Sequence, residues 1–567
     1  MITSIPPAEV LALYPAHDYT LNGVFDGRAQ TDPARTFLLC GDDTWSWGRF
    51  RAAIDAAARI LLSRGVRNGD RVAIMAPNSY AHVLLLFATA RIGAILVPVN
   101  PGFGADEVAY ILRHAGVSAV ACSATTLAAA RQACAEIAPA PWFVLVDGGS
   151  GDVPRLDELL NSPDRSSLPP NANADDCCII IYSSGTTGFP KGVMHSQRSY
   201  LLSGEVHVGR THLQPGGRVL CMLPMFHVNA LFYSLGSAIA AGASVVIAPH
   251  FSASQFWHTV ATTGATHTTV MAGVAAILAR RARSEFVPGH RLSVVNGSGF
   301  TAETLRTFHE EFGVSTIIEG FGMTEIPATF GNPFAGPHKL GSMGRPTSHP
   351  LASGPWTEAR VIDDDGRDVA DDTAGELAVR VPNVMQGYYR DPVQSADAFH
   401  DGWFMTGDLV RRDADGFFHF VGRKKDIIRR RGENISGAEL DRVIGAHPAV
   451  AEAATIGVPG ELGEEEIMAV VATKPGATVT VDEIRQWCAQ QLAAHKVPRC
   501  VVLVDRLPHT PTHKVAKHVL KKDSGLLDAA RAQLARTPHK DEAVKSRAAP
   551  GSSPVAGRAA TDHKAEH

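Results

Sequence analysis

The sequence carries no strong excess of charge, because 53 lysine and arginine residues stand against 57 aspartate and glutamate residues, a net charge of −4. This near balance gives no reason to expect nucleic acid or an anionic membrane as a partner, since both are bound through concentrated positive charge. Cysteine is scarce as well: the eight residues form no C-x-x-C pair and no framework spacing. Scattered thiols of this kind are typical of a reducing compartment, so we expect a cytoplasmic protein.

Long hydrophobic runs are also lacking, with one exception. Residues 230–248 contain no charge over 19 positions, which is close to the length that spans a bilayer. Gly236 and Gly242 interrupt this run, and residues 244–247 are rich in β-branched side chains. We therefore predict a buried helix followed by a buried strand, and no transmembrane segment. A secretory signal is not expected either, because the first residues lack a positive n-region.

The dominant pattern is an alternation of short apolar strands and amphipathic helices, which predicts an α/β fold built from βαβ units. With 567 residues the chain is too long for one core. We predict a large N-terminal domain of layered βαβ sheets over 1–424, with a β-rich subdomain beyond about Pro337. A compact α+β pattern predicts a small, mobile C-terminal domain over 425–525. Residues 526–567 are expected to be a disordered tail, since most of that stretch has no apolar period.

The densest turn composition lies at residues 181–194, with the sequence IYSSGTTGFPKGVM. It follows a buried strand predicted at 177–182, and it offers hydroxyls, glycine N–H groups and one lysine on a loop. Such a loop is a natural cradle for a polyphosphate. A Walker A loop is excluded, because Pro190 stands where that pattern needs its second glycine and Lys191 is followed by Gly192. The alternative is a glycine-rich surface turn with an incidental lysine.

Four further segments follow this loop in order: EGFGMTE at 319–325, GWFMTGDL at 402–409, GRKKD at 422–426 and PHTPTHKV at 508–515. Together with the loop they resemble the motifs of the adenylate-forming superfamily, which includes acyl-CoA synthetases, nonribosomal-peptide adenylation domains and luciferases. The resemblance covers about residues 21–522. It implies an ATP-dependent acyl-CoA ligase that activates a carboxylic acid as acyl-AMP, releases pyrophosphate and transfers the acyl group to CoA. The alternatives are an acyl-AMP ligase that loads a carrier protein and a nucleotide-binding protein without activity.

The resemblance also implies a set of site residues. Those that would bind ATP are Ser183, Ser184, Gly185, Thr186, Thr187, Gly188, Lys191, Gly320, Phe321, Gly322, Met323, Asp408 and Arg423. Within this set, Phe321 would stack against adenine, Asp408 would accept the ribose hydroxyls and Arg423 would touch the ribose. Thr324 would hydrogen-bond the α-phosphate and Glu325 would hold Mg²⁺, a cation that prefers carboxylate and phosphate oxygens.

Three more residues are implied in the C-terminal part. Lys514 would enter from the small domain and neutralise charge that develops at the α-phosphate. The pivot on which this domain swings in the family corresponds to Lys425, a hinge position. Gly432 would line the channel for the pantetheine arm of CoA, where the lack of a Cβ allows close approach. Two departures from the family pattern are His513, where relatives usually have glycine, and Phe321, where tyrosine is frequent.

Each catalytic assignment has a structural alternative. Asp408 in a Thr-Gly-Asp sequence is typical of a turn cap, Glu325 could be a solvated charge after a strand, and Lys514 could be an ordinary surface lysine. Taken together, the ordered set favours the functional interpretation.

The acid is less constrained by the sequence. The segment PMFHVN at 224–229 resembles the mouth of the family's acyl pocket, where His227 would be a gate or a positioning group. A core histidine is the equally favoured alternative. No acidic residue occurs between Glu205 and Glu285 to pair with a substrate ammonium, so an α-amino acid is disfavoured. The sequence as a whole resembles ligases for fatty acids, or for small acids such as crotonobetaine and carnitine. A homodimer is one alternative for the oligomeric state.

Overall fold

The computed structural model describes residues 5–149, 151–161, 164, 166–170, 172–183, 190–430, 433–460, 465–509 and 515–536. It separates into two compact units, the first running to Lys425 and the second beginning at Asp426. The predicted extents of the domains stay predictions. Each unit has its own hydrophobic clusters.

A seven-stranded sheet occupies the first half of the large unit. Its strands lie in the order Gly387–Tyr388, Lys191–Ser196, Cys177–Ser183, Ile95–Pro98, Arg71–Met75, Ala119–Cys122 and Trp142–Leu145. The last five run parallel, and the first two are antiparallel to their neighbours. Every residue of Ile95–Pro98 is buried, as expected for a parallel strand covered on both faces.

A nine-stranded sheet follows. Its strands lie in the order Arg345–Pro346, Phe330–Gly331, Thr316–Phe321, Val294–Gly297, His267–Thr269, Arg218–Cys221, Ser244–Ile247, Thr36–Cys40 and Asp43–Ser46. The six central strands are parallel. The prediction of layered βαβ sheets is therefore confirmed.

Helices cover both sheets. The α-helices of this unit are Pro7–Ala12, Leu21–Thr31, Trp47–Ser63, Tyr80–Arg91, Ala105–Ala115, Leu127–Ala133, Leu156–Leu160, Gln197–Thr211, Ser237–Ala241, Phe256–Thr263, Ala272–Arg280, Ala302–Arg306 and Pro392–Asp397. Two π-helices, Asn229–Gly236 and Thr307–Glu311, and a 3₁₀ turn, Arg283–Glu285, complete the set. The helix Phe256–Thr263 begins directly after a turn at residues 253–255.

The uncharged run at 230–248 is a buried helical segment followed by a buried strand, as predicted. The π-helix continues into Ser237–Ala241, and the strand is Ser244–Ile247. Gly242 has a φ of +61° and ends the helix in the left-handed conformation, which glycine adopts without strain. Within the described ranges we find no helix whose length and apolarity would let it cross a membrane.

The β-rich subdomain predicted beyond Pro337 is an antiparallel five-stranded sheet. Its strands are Glu358–Ile362, Gly375–Arg380, Trp403–Arg412, Phe399–His400 and Phe418–Arg423. Leu377, Val379, Phe404 and Val410 are buried on one face and pack with Phe330 of the nine-stranded sheet. The two long strands Trp403–Arg412 and Phe418–Arg423 carry Asp408 and Arg423.

The small unit has the predicted α+β composition. A hairpin of Ile427–Arg430 and Glu433–Ser436 precedes a three-stranded sheet of Val450–Pro459, Glu465–Thr473 and Cys500–Val504. Its helices are Gly437–Gly445, Val481–Gln491, Lys517–Leu520 and Ser524–Arg536, with a 3₁₀ turn at Ala494–Lys496. Thr480 and Glu483 form a capping box at the start of the second helix.

The predicted tail at 526–567 begins too early. Residues 526–536 belong to the helix Ser524–Arg536, whose Leu526, Ala530 and Leu534 are buried against the sheet of the small unit. Their spacing of four residues places these side chains on one helical face, and this explains why the segment folds. The rest of the predicted tail, 537–567, lies outside the described residues.

Candidate active site

The glycine-rich loop joins two paired strands. Cys177–Ser183 and Lys191–Ser196 are antiparallel, and their register places Ser183 opposite Lys191. Gly192 is required here, because a Cβ on it would lie 2.8 Å from the Ile180 Cγ2 atom and 3.2 Å from the Tyr182 ring. The predicted site residues between the strands, Ser184, Gly185, Thr186, Thr187 and Gly188, lie outside the described residues.

Tyr388 lies between two of the predicted site residues. Its strand pairs with Lys191–Ser196, and the Lys191 Nζ atom is 5.0 Å from the centre of the Tyr388 ring. The Tyr388 hydroxyl donates a hydrogen bond of 3.0 Å to the Glu325 Oε1 atom. Burial, and then the charge of Glu325, raise the pKa of Tyr388, so the phenol stays protonated and keeps donating. One side chain thus contacts both the carboxylate of Glu325 and the cation of Lys191.

Thr324 is fixed by a buried histidine. The His195 Nε2 atom lies 2.6 Å from the Thr324 carbonyl oxygen, and its Nδ1 atom lies 2.6 Å from the Ser199 hydroxyl. A carbonyl can only accept, so Nε2 carries the proton and Nδ1 accepts from Ser199. Burial lowers the pKa of His195 to about 4, so the ring is neutral. The hydrogen bond from His195 therefore fixes the position of the Thr324 backbone.

The segment before Thr324 is half-exposed on one side and tightly packed on the other. Phe321, Gly322 and Met323 are half-buried at the end of the strand Thr316–Phe321. A Cβ on Gly322 would lie 2.4 Å from the Tyr233 hydroxyl, and a Cβ on Gly320 would lie 2.7 Å from the Arg210 Nη1 atom. Both glycines therefore permit close approach of large polar side chains from within the unit.

Asp408 and Arg423 form an ion pair. They are cross-strand neighbours, and the Arg423 Nε atom is 2.7 Å from the Asp408 Oδ1 atom. The Asp408 side chain has no exposed surface, whereas that of Arg423 is 38% exposed. The guanidinium therefore screens the carboxylate, and a ligand would reach Asp408 only after Arg423 shifts.

His227 lies on a turn that a buried asparagine holds. The Asn78 Nδ2 atom donates to the carbonyls of Leu223 (2.9 Å) and Ala248 (3.1 Å), and its Oδ1 atom accepts from the Met225 N–H. The half-buried His227 follows, with its ring 4.6 Å from that of Phe226. Only Val228 separates it from the π-helix Asn229–Gly236, an element that is frequent at functional sites.

Of the three predicted site residues in the C-terminal part of the sequence, Lys425 is described by the structure. The backbone of Lys425 lies in the 3₁₀ turn Lys424–Asp426, which spans the division between the units. Gly432 and Lys514 lie outside the described residues.

Sequence reasoning missed Tyr388, His195, Asn78, Arg210 and Tyr233. None of them belongs to one of the five motifs, and each contacts a motif, or the 224–229 segment with His227, that is distant along the chain. The one available signal was that His195 and Tyr388 each flank a glycine-rich or turn-rich segment, and that signal is too common to single them out.

Comparisons with known proteins agree with this geometry. A profile for AMP-binding enzymes matches residues 25–389, and one for the C-terminal domain of AMP-binding enzymes matches residues 439–514. Sulfoacetate–CoA ligase of Cupriavidus necator is 34% identical over 504 residues, covering 88% of this chain and 96% of the relative. Oxalate–CoA ligase of Arabidopsis thaliana is 32% identical over 524 residues, covering 89% and 99%. The crystal structure of ATP-bound MatB from Rhodopseudomonas palustris matches with a TM-score of 0.78 at 28% identity, covering 88% and 98%.

Proposed function

The chain belongs to the AMP-binding enzyme family and is an ATP-dependent, AMP-forming acyl-CoA ligase, and we propose that the residues around Tyr388 carry its first chemical step. In that step a carboxylate oxygen attacks the α-phosphorus of ATP, the bond to the bridging oxygen breaks, and pyrophosphate leaves. Two anions must approach each other, so the site has to present cations and fixed dipoles to phosphate oxygens. The observation that carries the proposal is the pairing of Lys191 and Glu325 through one buried tyrosine.

The phosphates and the metal ion are assigned to neighbouring groups. Ser183 and Lys191, with the hydroxyls of Ser184, Thr186 and Thr187, bind the β- and γ-phosphates. Among the described residues no group of three or more His, Cys, Asp or Glu side chains could hold a metal ion. Glu325 therefore fits Mg²⁺ as a single carboxylate that shares the ion with substrate phosphates, a pattern typical of Mg²⁺. When bound, Mg²⁺ supplies neutralisation of the phosphate charge.

The nucleoside and the acid are assigned to opposite faces of the strand that ends at Phe321. Phe321 stacks against adenine, flanked by Gly320, Gly322 and Met323, and Asp408 accepts the ribose hydroxyls once Arg423 moves aside onto the ribose. Thr324 donates to the α-phosphate, with its backbone held by His195. His227 lies at the entrance for the acid.

The second step is transfer to CoA. The CoA thiolate attacks the acyl carbonyl of acyl-AMP, the carbon–oxygen bond to phosphate breaks, and AMP leaves. Gly432 lines the path of the pantetheine arm and Lys425 is the hinge between the two steps.

We propose a cytoplasmic enzyme that acts on CoA rather than on a carrier protein. The named relatives take different acids, among them sulfoacetate, oxalate, indoleacetate and long-chain fatty acids, so the relatives alone do not select the acid. A fatty acid and a homodimer stay predictions.

A panel of carboxylic acids tests the reaction. We expect ATP-dependent pyrophosphate release with at least one acid, and accumulation of acyl-CoA only when CoA is present. Formation of acyl-AMP that is transferred to a carrier protein but not to CoA would contradict the assigned acceptor. Absence of pyrophosphate release with every acid would contradict the enzymatic function itself.

Tyr388→Phe is expected to weaken Mg²⁺ binding and so to raise the Mg²⁺ concentration that the first step requires. The variant keeps the ring beside Lys191 but removes the hydrogen bond to Glu325. Loss of a group that orients a metal ligand typically reduces metal affinity by about 10–100-fold. The measurement is the Mg²⁺ concentration that gives half-maximal pyrophosphate release. Tyr389→Phe is the matched control, because its hydroxyl makes only a 3.4 Å contact to the Ala115 carbonyl; an equal effect in both variants would refute the role of Tyr388.

A further inference from the structure

A guanidinium lies buried inside the large unit, and no carboxylate of the described ranges pairs with it. Arg210, near the end of the helix Gln197–Thr211, is 6% exposed. In the part of the chain that the structure describes it forms no ion pair with a carboxylate. Its Nη2 atom donates to the carbonyls of Ala328 (2.9 Å) and Phe330 (2.6 Å), and its Nε atom has no hydrogen-bond partner among the residues that the structure describes. Buried charges are ordinarily paired with an opposite charge. The Arg210 guanidinium therefore favours an anionic partner.

Two glycines make the space for this guanidinium. Gly320 and Gly331 are direct cross-strand partners. A Cβ on Gly331 would lie 2.6 Å from the Arg210 Nε atom, and one on Gly320 would lie 2.7 Å from its Nη1 atom. Glycine weakens a strand and is found where a ligand or another group must approach closely. The pair of glycines therefore brings Arg210 against the backbone of the site motif that begins at Gly320.

Two further buried polar side chains, His207 and Asn296, line a cavity close to this helix. His207 lies one turn before Arg210 on the same helix, and its ring stacks on that of Tyr233 with centres 5.1 Å apart. The His207 Nδ1 and Asn296 Oδ1 atoms are buried and have no partner among the described residues. Both residues line one cavity together with Tyr233 and Thr269. Buried polar atoms are nearly always hydrogen-bonded to protein, water or ligand, so this cavity is suited to a polar group.

The direction of the acyl group follows from the alternation of side chains along a strand. Phe321 faces one side, where the adenine is proposed, so Gly320 and Gly322 face the other. The acid must start beside Thr324, where it meets the α-phosphate, and extend away from the nucleotide. The Tyr233 hydroxyl and the Arg210 guanidinium lie on that side, where a Cβ on Gly322 or on Gly320 would meet them.

We propose that the acid is short and carries a second anionic group, a carboxylate or a sulfonate, which Arg210 binds at the inner end of the acyl pocket with His207 and Asn296 nearby; this inference rests on the proposed function. A guanidinium presents a planar set of donors that matches such oxygens in pairs. Burial lowers the pKa of Arg210 to about 10, so the group is still charged at neutral pH. A long apolar chain would leave this cation buried and unpaired.

The wild-type enzyme provides the first test. We would compare kcat/KM for pyrophosphate release with malonate, sulfoacetate, propionate and octanoate. Sites that hydrogen-bond a substrate group reject analogues without it strongly, so we expect malonate or sulfoacetate to exceed propionate by about 10²-fold or more. The two dianions separate carboxylate from sulfonate recognition. A preference for propionate or octanoate would overturn this inference and leave the ligase function intact, whereas no release with any acid would overturn both.

Arg210→Met provides the second test, because methionine is unbranched and uncharged. We expect its activity on the preferred dianion to fall about 10²-fold while activity on propionate changes little. Arg198→Met is the matched control on the same helix, since Arg198 is exposed and pairs with Asp175. Equal losses on dianion and monoanion would show that Arg210 only supports the fold. If the variant does not fold, the wild-type ratio of malonate to propionate decides.

Discussion

Replacing Lys514 by alanine is expected to remove most of the acyl-AMP-forming activity and to spare the second step. The proposed role of Lys514 is to neutralise charge that develops at the α-phosphate when pyrophosphate leaves. Removing one oriented group of this kind typically costs on the order of 10²–10³ in rate. Once acyl-AMP is supplied, pyrophosphate is already gone, so thioester formation has no need of this cation. The two half-reactions are measured separately, as pyrophosphate release in a single turnover and as acyl-CoA formation from supplied acyl-AMP.

Two further variants make the result specific. Lys522→Ala removes an exposed lysine from the same segment of the chain and should leave both steps unchanged. Lys514→Arg keeps the positive charge but carries it on a planar guanidinium instead of an ammonium. Partial recovery of the first step in this variant would therefore indicate an electrostatic role. Equal loss of both half-reactions in Lys514→Ala would mean that the substitution disturbs folding, and the assignment would then be wrong.

The sequence predicts the strands that lead into the site with good accuracy. The prediction of a buried strand at 177–182 corresponds to Cys177–Ser183, and the second motif begins within the last residues of the strand Thr316–Phe321. Short apolar runs that end in glycine and hydroxyl residues carry this information locally, since the continuous apolar run and the turn residues are both visible in the chain.

The partners of the motif residues could not be predicted in this way. Tyr388 is 63 residues from Glu325 in sequence, and it reaches Glu325 because its short strand joins the edge of the sheet beside Lys191–Ser196. Arg210 reaches Gly320 only because a helix of one βαβ unit packs beneath a strand of another. Such contacts depend on sheet order and register, and neither is specified by local periodicity.

The same reasoning explains the ion pair of Asp408 and Arg423. Both residues were assigned to the ribose by their motifs, but the pairing arises from the register of two long strands. That register shifts by a bulge between Leu409 and Val410. Bulges add a residue to one strand and re-aim the side chains beyond it. Without that local shift, alternation along the strand would give a different partner.

Lys425→Pro is expected to separate the two half-reactions. The backbone of Lys425 lies in a single 3₁₀ turn, Lys424–Asp426, where the chain passes from the large unit to the small one. The proposed hinge must change φ and ψ at this residue between the two steps. Proline fixes φ near about −65°, a value compatible with a 3₁₀ turn, and it also restricts the preceding residue. The variant should therefore fold while one backbone conformation is excluded.

We expect the first step to persist in Lys425→Pro and thioester formation from supplied acyl-AMP to fall by about 10²-fold, the loss typical of misplaced reacting groups. Lys425→Ala is the control, because it removes the ammonium while leaving the backbone free to rotate; it should retain both steps. If the proline variant carries out both steps at wild-type rates, the hinge lies elsewhere or the small unit does not need to move. If alanine and proline lower the second step equally, the side chain of Lys425 matters and its backbone does not. Only a selective effect of proline supports a mechanism in which rotation at this one residue exchanges the site for acyl-AMP formation with the site for CoA.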